Sequence, residues 1–172
     1  MRTFKLCGLI FLACGLGLDA RLASREEITE RLEQYLGSWT GEVTVQTIDG
    51  EVMRKFPVAA EYWKVGESIR ALTAFEVDGE MTFVEARNYL RNGLLFADVT
   101  QAGEKVIYRG TLKPDQIIWI PYDAELNTER RMREWFSEEA DGTEVLNVEG
   151  VELLRSMKGI VPLILRAAMK RQ

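Results

Sequence analysis

The chain contains no histidine, two cysteines and four prolines in 172 residues. Without histidine there is no Ser-His-Asp or Cys-His catalytic arrangement and no His-ligated haem. The usual zinc ligand sets, which draw on histidine and cysteine, are missing too. Both cysteines, Cys7 and Cys14, lie near the start. A domain beginning after them has to stand on its core without a disulfide. No Gly-rich phosphate loop, CxxC pair, HExxH or nucleophile elbow occurs, so no cofactor or metal is implied. With so few prolines and only 14 glycines, a collagen-like or linker-dominated chain is excluded. What is present is globular in kind. Apolar residues make up 47% and charged residues 28%, which excludes disorder as the main state. The length suits one domain and a short leader.

That leader is residues 1–23. Arg2 and Lys5 give a positive start, and Leu6–Leu18 is an uncharged, largely apolar stretch of 13 residues. A spanning helix needs about 18–20 apolar residues, so this stretch is too short to cross a bilayer but fits a secretory signal core. No later stretch is long enough either. Two cuts are open: after Ala20 by a signal peptidase, or before Cys14 by a lipoprotein peptidase, leaving Cys14 to carry lipid. Phe11-Leu12-Ala13 resembles the bacterial lipobox loosely, and Gly15 suits it. Alternatively, Cys7 and Cys14 are small apolar fillers of the signal core. Either cut removes more positive than negative charge and leaves a domain more acidic than the whole chain's −5. Such a surface disfavours nucleic acid and anionic headgroups as non-specific partners. The expectation is an exported protein, periplasmic or extracellular, with a lipid anchor as a variant.

The remaining residues, 24–172, are expected to form one domain. Ser24-Arg25-Glu26-Glu27 opens a helix with a capping box, and Ile28, Leu32, Tyr35 and Leu36 share a face up to Gly37. From Trp39 the period changes to two. Trp39, Val43 and Val45 alternate with Thr40, Glu42, Thr44 and Gln46. Turn signals then recur at Asp49-Gly50, Gly66, Asp78-Gly79, Asn92-Gly93, Ala102-Gly103, Pro114-Asp115, Asp141-Gly142 and Gly159. About ten short strands joined by tight turns predict an all-β fold, an antiparallel up-and-down barrel with the short N-terminal helix capping one end. Closure also removes the exposed sheet edges.

Leu36-Gly37-Ser38-Trp39-Thr40-Gly41 is similar to the opening of several exported bacterial lipocalin-like (calycin) families, and Gly37-Ser38-Trp39 resembles the lipocalin Gly-x-Trp motif. Trp119-Ile120-Pro121 in a late strand resembles those families as well. The resemblance covers most of residues 25–170. By strand count the chain looks more like the fatty-acid-binding or nitrobindin-like barrels, though the haem histidine of the latter is absent. The resemblance implies that Gly37 and Trp39 are structural, with the Trp39 ring plugging the narrow end of the barrel.

Met81, Phe83, Glu85, Arg87 and Tyr89 share one face of a strand; Thr82, Val84, Ala86, Asn88 and Leu90 share the other. If the first set points inward, Glu85 and Arg87 are charges inside a barrel, where a charge must be paired or bound to a ligand. An interior arginine beside a tyrosine holds a carboxylate headgroup by charge-assisted bonds. Arg54, in line with Val52, Phe56, Val58 and Tyr62, obeys the same logic. Alternatively these charges face outward as cross-strand surface pairs. The run Glu129–Glu134 reads either as an anion-binding rim or as a solvated strand whose charges pair across the ladder. Trp63, Trp119 and Trp135, with Tyr62 and Tyr122, line a cavity mouth or serve as packing.

The reading expects non-catalytic binding of a small apolar or amphipathic molecule in the barrel, with Arg87, Tyr89, Glu85 and Arg54 as ligand-binding residues. The alternatives are a cell-envelope protein-interaction module with a filled barrel, or a small enzyme using carboxylate, tyrosine or arginine groups.

Overall fold

The computed structural model describes residues 23–123, 130–156 and 159–172. The expected leader with Cys14, and Glu129 of the charged run, lie outside the described residues. One helix, α1 (Arg25–Glu33), precedes ten strands: β1 (Gly37–Thr47), β2 (Val52–Val65), β3 (Ser68–Val77), β4 (Glu80–Arg91), β5 (Leu94–Gln101), β6 (Glu104–Leu112), β7 (Gln116–Pro121), β8 (Arg130–Glu138), β9 (Glu144–Ser156) and β10 (Gly159–Arg171). Each strand pairs antiparallel with the next, and β1 pairs with β10, so the sheet closes into a barrel. The all-β barrel expected from the two-residue rhythm is what forms, and it fits a calycin-like fold. At Asp78-Gly79 and Asn92-Gly93 both turn residues take positive φ, which matches the right-handed twist of the hairpins they join.

The helix is shorter than its apolar face suggested. Ser24 Oγ accepts from the Glu27 N–H at 3.1 Å and the Glu27 carboxylate accepts from the Ser24 N–H at 2.6 Å, so the capping box forms. Regular helix ends at Glu33. Tyr35 and Leu36 then turn tightly, their N–H groups bonding three residues back. This throws Tyr35 into the end of the barrel beside Ile28 and Leu32, which are also buried there. Arg31 ties the helix to the β6–β7 turn by donating to the Pro114 and Asp115 carbonyls at 2.7 and 3.3 Å.

Trp39 is 0% exposed at this closed end. Its Nε1 donates to the Tyr35 carbonyl at 2.7 Å. The Arg171 guanidinium lies over its ring at 4.4 Å and donates to the Gln34 carbonyl at 2.7 Å. One indole thereby joins the end of α1, the first strand and the last. Two glycines give the packing room. A Cβ on Gly41 would stand 2.0 Å from the Ala168 carbonyl oxygen, so β1 and β10 can approach only with glycine there. A Cβ on Gly110 would meet the Trp119 ring and the Leu95 side chain at 2.7 and 2.6 Å. Small residues facing large ones across neighbouring strands let a narrow barrel interdigitate. No helix of the described residues is long and apolar enough to cross a membrane.

Candidate functional site

The ladder registers decide which side chains enter the barrel. Ile69, Ala71 and Thr73 of β3 stand opposite Asn88, Ala86 and Val84 of β4. Ile69 and Ala71 are core residues, and Asn88 is buried with them. The face that enters is therefore Thr82, Val84, Ala86, Asn88 and Leu90. Glu85, Arg87 and Tyr89 point outward. This corrects the interior placement considered for them, and the reason is desolvation: the other face could be buried without any ionised group. On the outer wall the Arg87 Nε donates to Ser68 Oγ at 3.2 Å, and the Tyr89 hydroxyl donates to Asp98 at 3.0 Å.

Arg54 does share the inward parity of Val58 and Ala60. It lies at the open end, where it pairs with Asp78 at 3.2 Å and stays 47% exposed. It and the β4 residues are thus not brought together. Among the five rings read as mouth or packing, Trp119 and Tyr62 are interior, whereas Trp63, Trp135 and Tyr122 are on the outside.

The charge that does enter is Glu134 of β8. The strand alternates Arg130, Met132, Glu134 and Phe136 inward against Arg131, Arg133 and Trp135 outward. The expected ladder pairing holds for two members of the charged run. Arg130 meets its cross-strand partner Glu152 at 3.0 Å and Arg133 meets Glu149 at 2.7 Å. Glu134 instead has Val148 and Ile117 as its neighbours across the two ladders. Its Oε2 accepts from the Tyr35 hydroxyl at 2.7 Å and from the Trp119 Nε1 at 2.7 Å. Both donors are 1% exposed. Tyr62 and Phe136 surround Tyr35 at ring separations of 5.3 and 4.9 Å.

Burial raises the Glu134 carboxyl above the ordinary carboxylate value, and the two donated hydrogen bonds only partly offset this. Burial, then the neighbouring Glu134 charge, pushes the Tyr35 and Tyr62 hydroxyls up as well. No cation pairs with Glu134 among the described residues. Yet its side chain is not sealed: Glu134, Tyr62, Met132 and Val148 all keep partial access to water-sized space although they sit on the inner face.

A pocket of about 210 Å3 lies toward the open end; Glu134 does not line it but is the cross-strand neighbour of Val148, which does. Val43, Ala167 and Val148 form one row across three strands, and the next residue in the row is Glu134. Met132, Leu165, Gly150 and Tyr108 complete most of the apolar lining, with the Arg130–Glu152 pair at its rim. Burial raises the Tyr108 hydroxyl and the adjacent Arg130 opposes this. The arrangement is a largely apolar pocket with a buried acceptor one cross-strand step beyond Val148. A cleft of about 400 Å3 between α1 and the β2–β3 turn is larger. It lies at the helix-capped end, with the inward-facing Ile69 and Leu90 beside Leu32 in its floor, and its charged groups are already joined as Arg25–Glu67 and Lys64–Glu33 pairs, each at 2.5 Å. No group of three metal-ligating side chains occurs among the described residues.

Glu134 was hidden in the sequence because both faces of its strand carry charge. The one available signal is that it stands between Met132 and Phe136 at a spacing of two, whereas the opposite face has Arg131 and Arg133. No protein-family model matches the chain, and no curated protein matches it.

Proposed function

We propose that the protein is a non-catalytic binder of a small amphipathic molecule, held in the barrel with its polar end on Glu134. The observation that supports this most is a carboxylate buried without a cation on the inner face, next to a residue that lines the pocket. Burying such a group is costly unless something satisfies its remaining acceptor capacity. An amine or hydroxyl on the ligand does so, and the row Val148–Ala167–Val43 supplies apolar contact for the rest of it. A carboxylate headgroup, expected from an interior arginine, is disfavoured because Arg130 at the pocket's rim and Arg54, which does not line the pocket, are each paired with a carboxylate.

Volume sets the ligand's size. The pocket of about 210 Å3 is smaller than the roughly 300–1,000 Å3 usual for drug-sized ligands. It holds about seven water volumes. That favours a short-chain amine or alcohol over a fatty acid. We place the protein in a lipocalin-like family acting outside the cytoplasm, on the strength of the Leu6–Leu18 segment and the Gly37-Ser38-Trp39 opening.

The test is a thermal-shift series with n-hexylamine, n-hexanol and hexanoate on wild type, Glu134→Gln and Ala167→Leu. Hexylamine or hexanol should raise Tm with concentration, hexanoate should not, and Ala167→Leu should abolish the effect by filling the pocket. If no compound raises Tm, or if Ala167→Leu responds like wild type, the lumen is not the site. Native mass spectrometry of the protein from its own host identifies the natural occupant.

A further inference from the structure

The outer wall formed by β3, β4, β5 and β6 carries an imbalance that the lumen does not explain. Elsewhere on the barrel, five arginines meet carboxylates: Arg54 pairs with Asp78, Arg130 with Glu152, Arg133 and Arg166 with Glu149, and Arg171 with Glu144, whereas the exposed Arg131 stands alone without a carboxylate among the described residues. On this wall Arg70, Arg87, Arg91 and Arg109 have no carboxylate partner among the described residues. Arg70 and Arg87 are direct cross-strand neighbours. Like charges in that relation destabilise a sheet.

The carboxylates nearby do not relieve them. Asp98 stands opposite Arg87 in the register, but Lys105 and the Tyr89 hydroxyl hold its two oxygens at 2.8 and 3.0 Å. Glu85 and Glu76 are the other acidic groups on these strands' outer face, against five basic ones once Lys105 is included. The imbalance sits on a chain whose net charge is −5.

Aromatic rings hold two of these guanidinium groups, those of Arg87 and Arg91, in place. Phe96 points outward yet is only 3% exposed. Tyr89 stacks on it at 5.9 Å, Tyr122 meets it edge-on at 5.8 Å, and the Arg91 guanidinium covers it at 4.5 Å. Arg87 lies over Tyr89 at 5.1 Å, and Arg109 is the cross-strand partner of Phe96. Guanidinium groups laid on rings lose less freedom when they bind a carboxylate. Beside the Arg70–Arg87 pair a groove of about 420 Å3 opens, with Trp63 and Leu72 as its apolar walls; three cations, Arg70, Arg87 and Lys105, line it against two carboxylates, Glu85 and the already engaged Asp98.

We propose that this wall docks an acidic segment of a partner protein, whose carboxylates are held by Arg70 and Arg87 in the groove and by Arg91 and Arg109 along the aromatic strip. The closed barrel has no free sheet edge, so recognition has to run through side chains and not through strand addition. The basic area is local and the rest of the chain is acidic, which favours a short anionic segment over a long polyanion such as nucleic acid or an anionic membrane.

The test is fluorescence anisotropy of the whole protein with a labelled twelve-residue Asp/Glu peptide containing one tyrosine. The comparators are the Asn/Gln version of that peptide and a single-stranded oligonucleotide of equal length. The acidic peptide should bind best, and more weakly as salt rises. Arg70→Ala with Arg87→Ala should weaken it about tenfold, while Arg133→Ala on the far wall should change it less than about twofold. Arg70→Glu should abolish binding and yet raise Tm, since it turns a repelling cross-strand pair into an attracting one. A purely structural role for the arginines cannot produce that opposition. Equal binding of the neutral peptide, equal loss in Arg133→Ala, or tighter binding of the oligonucleotide overturns the proposal. None of these outcomes touches the lumen.

Discussion

Replacing Glu134 by alanine leaves the Tyr35 hydroxyl and the Trp119 N–H without their acceptor, in a region where each ring is 1% exposed. An orphaned buried donor costs about 1–3 kcal/mol. Two of them give about 2–6 kcal/mol, less what is recovered by no longer burying a carboxylate. The expected net loss is about 2–4 kcal/mol. For a domain of this size that lowers Tm by about 2–4 °C per kcal/mol. Tyr35→Phe alone should cost about 1–2 kcal/mol by removing one bond to a charged acceptor. In the Glu134→Ala background the same change should be neutral or stabilising, because it deletes a hydroxyl that has lost its partner. The coupling in this cycle should be about 1–3 kcal/mol. Urea unfolding of the four proteins at neutral pH measures it. If the two losses add within about 0.5 kcal/mol, the Tyr35–Glu134 bond does not organise the closed end and the account of Glu134 is wrong.

The same carboxylate sets a pH dependence. Its folded pKa is raised from 4.5, so the folded state binds its proton more tightly than the unfolded state does. The stability tied to this proton is complete below the ordinary value and declines as pH rises through the folded pKa. The stability of wild type minus that of Glu134→Gln should therefore fall as pH rises above the ordinary carboxylate value and through the raised folded one, and a flat difference refutes the shift. Gly41→Ala should lose more than about 2 kcal/mol, because the added Cβ meets β10 backbone and not a yielding side chain. Gly110→Ala, which meets only the Leu95 and Trp119 side chains, should cost about 1–3 kcal/mol. Chemical denaturation ranks the two, and a milder Gly41→Ala contradicts the close approach of β1 and β10. Ser24→Ala should cost about 1 kcal/mol by opening the capping box, seen as a small drop in Tm.

Sequence alone determined the elements. The alternation from Trp39 onward, with Asp78-Gly79 and Asn92-Gly93 as turns, is a local property: each strand and hairpin follows from neighbours in the chain. The capping box at Ser24 and Glu27 is equally local. The inside and outside of β4 needed the tertiary structure. Its two faces both contain apolar residues, and only the register of Asn88 against Ile69 settles which one enters the core. The closed end was decided at longer range still. Glu134, Tyr35 and Trp119 come from one strand, a helix end and another strand, and Arg171 reaches Trp39 from the opposite end of the chain. The Arg70–Arg87 pair on the outer wall is likewise made by pairing two strands. Local alternation gives a side chain one of two directions. Closure of the barrel chooses between them, because only then is it known which charges must give up water and which keep it.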